Sequence, residues 1–367
     1  KHVGLNVAAD PLFSFAYPGT NGGFVVVTAD EPGQHSSQNE QDSRHYAIAA
    51  KVPIVEPADS QECMDYLEAA YGLSEEYDTP VLLRLSTRIS HSQSLVALEE
   101  RREVPLKDYQ KDPQKYVMMP AYARPRHVVV EERLDRLRAL AEHSPLNRVE
   151  PGSDTRIGII TAGICYQYVK EALPDAPVLK LGMLNPLPTR LIQEFAFSVD
   201  RVVVVEELDP VIENHCLAIG VKVSGKDIFG CIGEISQNVI RQRLLGQAPL
   251  PAPAFPQAAP ARPPVLCPGC PHRGVFYTLG KLGLTVFGDI GCYTLGAAPP
   301  LGAMDTTLCM GASISGLHGY NKARGAQAAQ KAVAVIGDST FAHSGITGLI
   351  DTVYNGGVST ILVLDNS

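Results

Sequence analysis

The sequence predicts an α/β protein of three segments, with parallel sheets flanked by helices, and three observations carry that expectation. Apolar runs such as "GGFVVVTAD", "TPVLLRLS", "VDRVVVVEE" and "AVAVIGDS" are short and continuous, as in strands covered on both faces. Between such runs lie stretches with helical spacing, "SQECMDYLEAAYGL" among them, so strand and helix alternate as in crossover-connected parallel sheets. The third is a proline-rich stretch, "APLPAPAFPQAAPARPP" at 248–264, which continues neither helix nor strand and reads as a linker.

Bulk properties narrow the partners. A chain of 367 residues, 45% of them apolar, has room for more than one core. Its net charge of −8, with no Lys/Arg-rich run, excludes the cationic face that nucleic acid or an anionic membrane demands. Small molecules and proteins are the expected partners. No apolar run approaches the ~20 residues that span a bilayer, and "KHVGLNVAAD" has no secretory apolar core, so a cytoplasmic location is expected. Eight cysteines are too sparse for a disulfide scaffold. Cys63, Cys165, Cys216 and Cys231 sit in apolar or helical contexts and read as buried thiols, whereas Cys267, Cys270, Cys292 and Cys309 crowd into one region.

The first segment, 1–150, holds two of the strands, the helix between them and a charged amphipathic helix from Glu131 to His143 that leads out of it. Its loop "PGQHSSQNEQD" is unusually polar for one that follows an apolar strand. The second segment, 151–247, is a small α/β domain with strands near Ile157–Ala162, Val178–Leu181 and Val202–Glu206. It has neither a Walker loop nor a G-x-G-x-x-G fingerprint, and the glycine of "TAGICY" reads first as a tight turn. The third segment, 265–367, carries most of the chemistry.

There Asp338 follows one apolar strand and Asn366 follows the next, one strand–helix–strand crossover later. In parallel sheets ligands sit beyond the carboxyl ends of the strands, so neighbouring strands would bring these two side chains together. Mg²⁺ takes a few oxygen ligands from protein and the rest from water and phosphate, and a carboxylate with an amide suits Mg²⁺ on a diphosphate. Gly337-Asp338-Ser339 followed by Asp365-Asn366 resembles the thiamine diphosphate motif, commonly Gly-Asp-Gly and then Asn-Asn. Ser339 and Asp365 depart from it, while the two expected metal ligands are kept. Upstream, Cys309, Met310 and Gly311 lead with Ala312 and Ser313 into a small-residue helix start, whose free N–H groups are expected to receive a diphosphate.

"CPGCPHRGVFY", "GDIGCYTLG", "LCMGASI" and "GDSTFAHSG" together resemble, in order, the large subunit of the indolepyruvate:ferredoxin oxidoreductases, within the 2-oxoacid:ferredoxin oxidoreductase family. "KHVGLNVAADPL" and "ADEPGQHSSQNEQDSRHYA" extend the likeness to the start of the chain. The resemblance implies that an arylpyruvate is decarboxylated on thiamine diphosphate and oxidised in one-electron steps. The acyl group then passes to coenzyme A, and electrons leave through iron–sulfur clusters to ferredoxin. It also implies a small beta subunit as partner in a hetero-oligomer. The first segment would be the pyrimidine-binding domain and the third the pyrophosphate-binding domain. An activating glutamate is expected before Lys1 and a cysteine-rich ferredoxin-like domain after Ser367.

The family reading also sorts the remaining candidates. Cys267, Cys270 and Cys292 would hold a [4Fe–4S] cluster with a fourth ligand from elsewhere; a zinc ion and a metal-free loop satisfy the same pattern. His343 and His35 are the catalytic candidates, His343 as a proton shuttle near the thiazolium or, equally, as a cap of the next helix. Ser36, Ser37 and Asn39 are the candidates for the substrate carboxylate or keto oxygen and Arg273 for the substrate carboxylate or the cofactor phosphates, each with a solvated loop as the bland alternative. Two other functions stay open: another thiamine enzyme such as a non-oxidative 2-oxoacid decarboxylase, and a non-catalytic subunit.

Overall fold

The computed structural model describes residues 1–101, 103–251, 260 and 262–365. It divides into two compact units, Lys1–Ala252 and Pro253–Ser367. The linker expected at 248–264 lies largely outside the described residues.

The first unit carries two sheets. In one, β1 (Val25–Asp30), β2 (Ile54–Val55), β3 (Val81–Ser86) and β7 (Met183–Asn185) run in the order β1-β3-β2-β7, with β1 and β2 parallel to β3. The antiparallel pair β2–β7 joins residues 54–55 to 183–185, so the segments 1–150 and 151–247 share a sheet as well as a unit. Asp59 accepts the amide of Glu62 at 2.9 Å and starts the helix Ser60–Tyr77. Tyr66 and Ala70 on that helix pack against Val55, Val81 and Leu83.

Two sequence expectations need correction here. The run "GGFVVVTAD" is not covered on both faces: β1 is an edge strand, and Val27 is 54% exposed. The charged helix expected from Glu131 spans Pro120–Ala141; proline at its first position already fits a helical φ and needs no N–H donor. Val130, Leu134, Leu137 and Ala141 line one face, the last two packing on Tyr77 and Met183.

The second sheet, β4 (Arg148–Glu150), β6 (Val178–Leu181), β5 (Gly158–Ala162), β8 (Val202–Val205) and β9 (Val223–Ser224), has the order β4-β6-β5-β8-β9. Its central strands β5, β6 and β8 are buried throughout, and the one charge among them, Lys180 in β6, is held by Glu62 at 2.5 Å. Gly163 follows β5 at φ 54°, and a Cβ there would overlap the Glu56 carboxylate. The glycine of "TAGICY" is therefore explained by a tight turn and a close neighbour.

Among the described residues the second unit has one sheet, in the order β11-β10-β12-β13, from β10 (Thr285–Gly288), β11 (Thr306–Thr307), β12 (Ala332–Gly337) and β13 (Thr360–Leu364). All pairs are parallel, and Gly337 at the end of β12 lies opposite Leu364 at the end of β13. The helix His272–Leu282 packs Phe276 and Leu279 with Val286, Val333 and Val335, while the helix Ala312–Arg324 packs Ile314 and Leu317 with Ala334 and Ile336. Among the described residues, no helix is long and apolar enough to cross a membrane. Of the four thiols read as buried, Cys165 and Cys216 are buried, Cys63 is half-buried and Cys231 is exposed. Cys231 sits in a loop of bends just before the helix Gln237–Arg243, where no core reaches it.

Candidate functional site

Two strands of the second unit end in glycine followed by aspartate: β10 before Asp289 and β12 before Asp338. Asp338 opens a short helical turn, Asp338–Thr340, which widens into a π-helical turn, Phe341–Gly345, before the helix Ile346–Tyr354. Such wide turns recur at functional sites. Asp338 is half-buried, and among the described residues no donor is bonded to its carboxylate. Gly337 matches the close quarters, because a Cβ there would lie 2.8 Å from the Tyr293 ring. Because β13 is the neighbour of β12, Leu364 at the end of β13 pairs with Gly337, the residue before Asp338. Asn366 itself lies outside the described residues.

The helix start at Gly311 differs from the expectation of free amides. Asp289, fully buried, accepts the amides of Ile290 and Gly311 at 2.9 Å and of Ser313 at 3.1 Å, and the Ala312 amide goes to the Cys309 carbonyl at 3.1 Å. The positive end of the helix is thus occupied by a carboxylate of the chain itself. Sequence reasoning passed over Asp289 inside "GDIGCYTLG", although it follows an apolar strand as Asp338 does. Gly311 adopts φ 86°, and a Cβ there would stand 2.8 Å from the Ser344 carbonyl oxygen. Ser313 Oγ is buried with no hydrogen-bond partner. Cys309, Met310 and Ser339 are exposed.

These features fit a diphosphate with its cation. A carboxylate without a counter-charge at the carboxyl end of a strand is a natural ligand for a hard cation, and the glycines at 311 and 337 let the turn close against Ser344 and the Tyr293 ring. The orphaned Ser313 hydroxyl adds a donor at the same helix start.

The other candidates fall into separate arrangements. His343 is exposed on the π-helical turn, with Nδ1 2.9 Å from Ser344 Oγ. Cys267 and Cys270 share a tight turn, the Cys270 amide donating to the Cys267 carbonyl at 3.1 Å. Among the described residues, Cys267, Cys270 and Cys292 do not gather within 4.8 Å of one another, the spacing that one ion such as zinc requires. Arg273 donates from Nη2 to the Leu266 carbonyl at 2.6 Å and lines an apolar cavity of about 330 Å³.

In the first unit the polar loop is turned on the chain's own carboxylates. Ser36 donates its amide to Glu31 Oε1 at 2.8 Å and its hydroxyl at 3.1 Å, and Ser37 Oγ donates to Glu31 Oε2. Burial alone would raise the Glu31 pKa, but Ser37, Lys1 and the Ser36 amide outweigh it and hold the value at about 2. His35 Nε2 lies 3.1 Å from Glu234, which Arg88 also grips, and Asn39 accepts from Gln41 at 2.9 Å. Behind the loop, Arg84 binds Asp30 and Glu56 at 2.6 Å each, and Arg44 binds Asp42 and Glu206 at 2.5 Å each. Glu207, buried beside them, has its pKa pushed up to about 7 by burial. The runs "TADEPG" and "VVVVEELD", carboxylates directly after apolar strands, were the available signal for this cluster.

Comparison with known proteins adds the lineage. Residues 289–367 match the thiamine pyrophosphate enzyme family at its C-terminal TPP binding domain. The whole chain is 42% identical to the indolepyruvate oxidoreductase subunit IorA of Archaeoglobus fulgidus, covering 62% of that protein. It is likewise 42% identical to IorA of Methanothermobacter thermautotrophicus and 39% identical to IorA of Pyrococcus abyssi, covering 63% of each. The chain thus spans a little under two thirds of the length of these relatives. A structure of 2-oxoglutarate:ferredoxin oxidoreductase from Magnetococcus marinus, with 2-oxoglutarate, coenzyme A and succinyl-CoA bound, shares the fold. Its TM-score is 0.51 and its identity 14%, over 66% of this chain and 51% of that one.

Proposed function

We propose that this chain, 39–42% identical along its whole length to IorA subunits of indolepyruvate oxidoreductases, acts in a thiamine diphosphate-dependent 2-oxoacid oxidoreductase of the indolepyruvate type. The observation that carries the reading is the Asp338 carboxylate, unbridged at the tip of a buried strand, inside the region matched by the TPP binding domain.

Asp338, with Asn366 two residues after β13 in the sequence, would hold Mg²⁺, and the turn Gly337–Ser339 would receive the diphosphate beside the exposed Cys309 and Met310, whereas the Gly311 amide is already held by Asp289. Bound thiamine supplies the carbanion chemistry of decarboxylation, while the protein binds, orients and moves protons. His343, exposed and hydrogen-bonded only at Nδ1 among the described residues, leaves Nε2 to accept or return a proton. Arg273 keeps donors beyond the one spent on Leu266, beside an apolar cavity, and suits the carboxylate of an aryl 2-oxoacid. Ser36 and Ser37 would meet a substrate carboxylate only by leaving Glu31, and His35 would act on substrate only by leaving Glu234. Cys267, Cys270 and Cys292 remain the candidates for a [4Fe–4S] cluster. In the complete reaction the carbon–carbon bond to the carboxylate breaks, CO₂ leaves, the acyl group joins the coenzyme A sulfur, and the electron pair passes singly to ferredoxin. The small beta subunit completes the enzyme in the cytoplasm.

The complete enzyme should reduce a viologen dye only when an arylpyruvate and coenzyme A are both present. Release of CO₂ without dye reduction would mark a non-oxidative decarboxylase. Failure of the whole complex to bind thiamine diphosphate would leave a non-catalytic subunit.

A further inference from the structure

We propose that Asp289 is a positioning residue for the cofactor site: it holds the start of the helix Ala312–Arg324 against the Asp338 turn and consumes the amides that an anion would otherwise take. The proposal rests on the thiamine diphosphate reading above. Its basis is a set of contacts that converge on one turn. The Asp289 carboxylate is 0% exposed, with Oδ1 accepting from Ile290 and Gly311 and Oδ2 accepting from Ser313. Among the described residues, no lysine, arginine or histidine is ion-paired with it, so amide donors and the helix dipole carry the stabilisation of a buried charge.

The next residue binds the other wall. The Ile290 carbonyl accepts from Tyr293 Oη at 3.1 Å and from Thr340 Oγ1 at 3.4 Å, and Thr340 lies two residues past Asp338. Tyr293 is also the ring that a Cβ on Gly337 would strike, and Gly311 stands against the Ser344 carbonyl. The turn Asp289–Ile290 therefore ties together the Gly311 helix start, the Tyr293 ring and the turn that presents Asp338. Because the helix start is already capped, the diphosphate is directed to the Gly337–Ser339 turn and its cation to Asp338. Neither role touches the reacting atoms, so the loss should fall on cofactor affinity.

Asp289→Asn tests this in the complete enzyme. An amide in place of the carboxylate aims an NH₂ at backbone donors, so one side of the clasp opens while the shape is kept. The expected result is a thiamine diphosphate Kd at fixed Mg²⁺ raised at least tenfold by calorimetry, with kcat at saturating cofactor within about twofold of wild type. If Asp289→Asn shows no cooperative melting, Tyr293→Phe, which loosens the same turn by one hydroxyl, decides: a Kd raised at least threefold supports the role and an unchanged Kd overturns it. If wild type binds the cofactor and Asp289→Asn binds it equally well, the role of Asp289 falls alone. If wild type does not bind, the thiamine reading falls and takes the role with it.

Discussion

The carboxylates at the strand ends of the two units differ in whether they are already spent. In the first unit, Asp30, Asp42, Glu56 and Glu206 are each held by Arg44 or Arg84, and the serines that follow β1 are bonded to Glu31. In the second, Asp289 is spent on a helix start, whereas among the described residues nothing neutralises Asp338. Position at the carboxyl end of a parallel strand therefore nominates a residue, and its partners decide whether it can bind anything else.

The largest effect should come from breaking the spent cluster. Arg84→Met leaves Asp30 and Glu56 buried without their cation, a loss of about 3–5 kcal/mol in stability. A melting point lowered by roughly 10 °C is the expected reading. A melting point within a degree of wild type would show that these carboxylates are not paired as described.

Glu207 sharpens the comparison, since it is buried beside the arginines yet lacks a direct one. Burial raises its pKa from 4.5 to about 7, with Glu56 and Glu234 adding to the rise and Arg84 and the Ile235 amide opposing it. The folded state thus binds this proton more tightly than the unfolded state, and the contribution is complete below pH 4.5 and lost as pH rises through 7. Glu207→Gln keeps an acceptor for the Ile235 amide, 3.2 Å away, and should exceed wild type in stability at pH 8 by up to about 3 kcal/mol. Denaturant titrations at pH 5 and pH 8 check it: the gain must appear at pH 8 and fall to about 1 kcal/mol or less at pH 5.

A smaller effect is expected at Asp59, which caps its helix as Asp289 does but half-exposed and with a single backbone amide, its other oxygen accepting from Gln167 Nε2 at 3.1 Å. Asp59→Ala should cost about 1 kcal/mol, read from the denaturant midpoint. Smaller still, Arg88→Ala removes a half-exposed guanidinium from Glu234 and should change stability by less than about 1 kcal/mol.

Much of this architecture was legible in apolar runs, because a strand buried on both faces has no polar alternation to disguise it. The strands at Gly158–Ala162, Val178–Leu181 and Val202–Val205 lie where the runs place them. An edge strand is invisible to the same reasoning: "FVVV" looks like a core run until its neighbours are known, and among the described residues β1 has only one. The adjacency of β12 and β13 was legible as a condition, since one crossover separates them. What was not legible is pairing across long sequence distances. Nothing local tells that Asp289 will cap a helix starting beyond Gly311, or that Arg44 will meet Glu206. For that reason the free-amide expectation at Gly311–Ser313 failed.

The central claim is that Asp338 is the unspent carboxylate of a thiamine diphosphate site. Its most direct test is calorimetric titration of thiamine diphosphate with Mg²⁺ into the complete enzyme, with wild type and Asp338→Ala side by side. The prediction is saturable binding to wild type, binding weakened at least a hundredfold in Asp338→Ala, and equal melting points for the two without cofactor. Equal affinity in both proteins would contradict the claim.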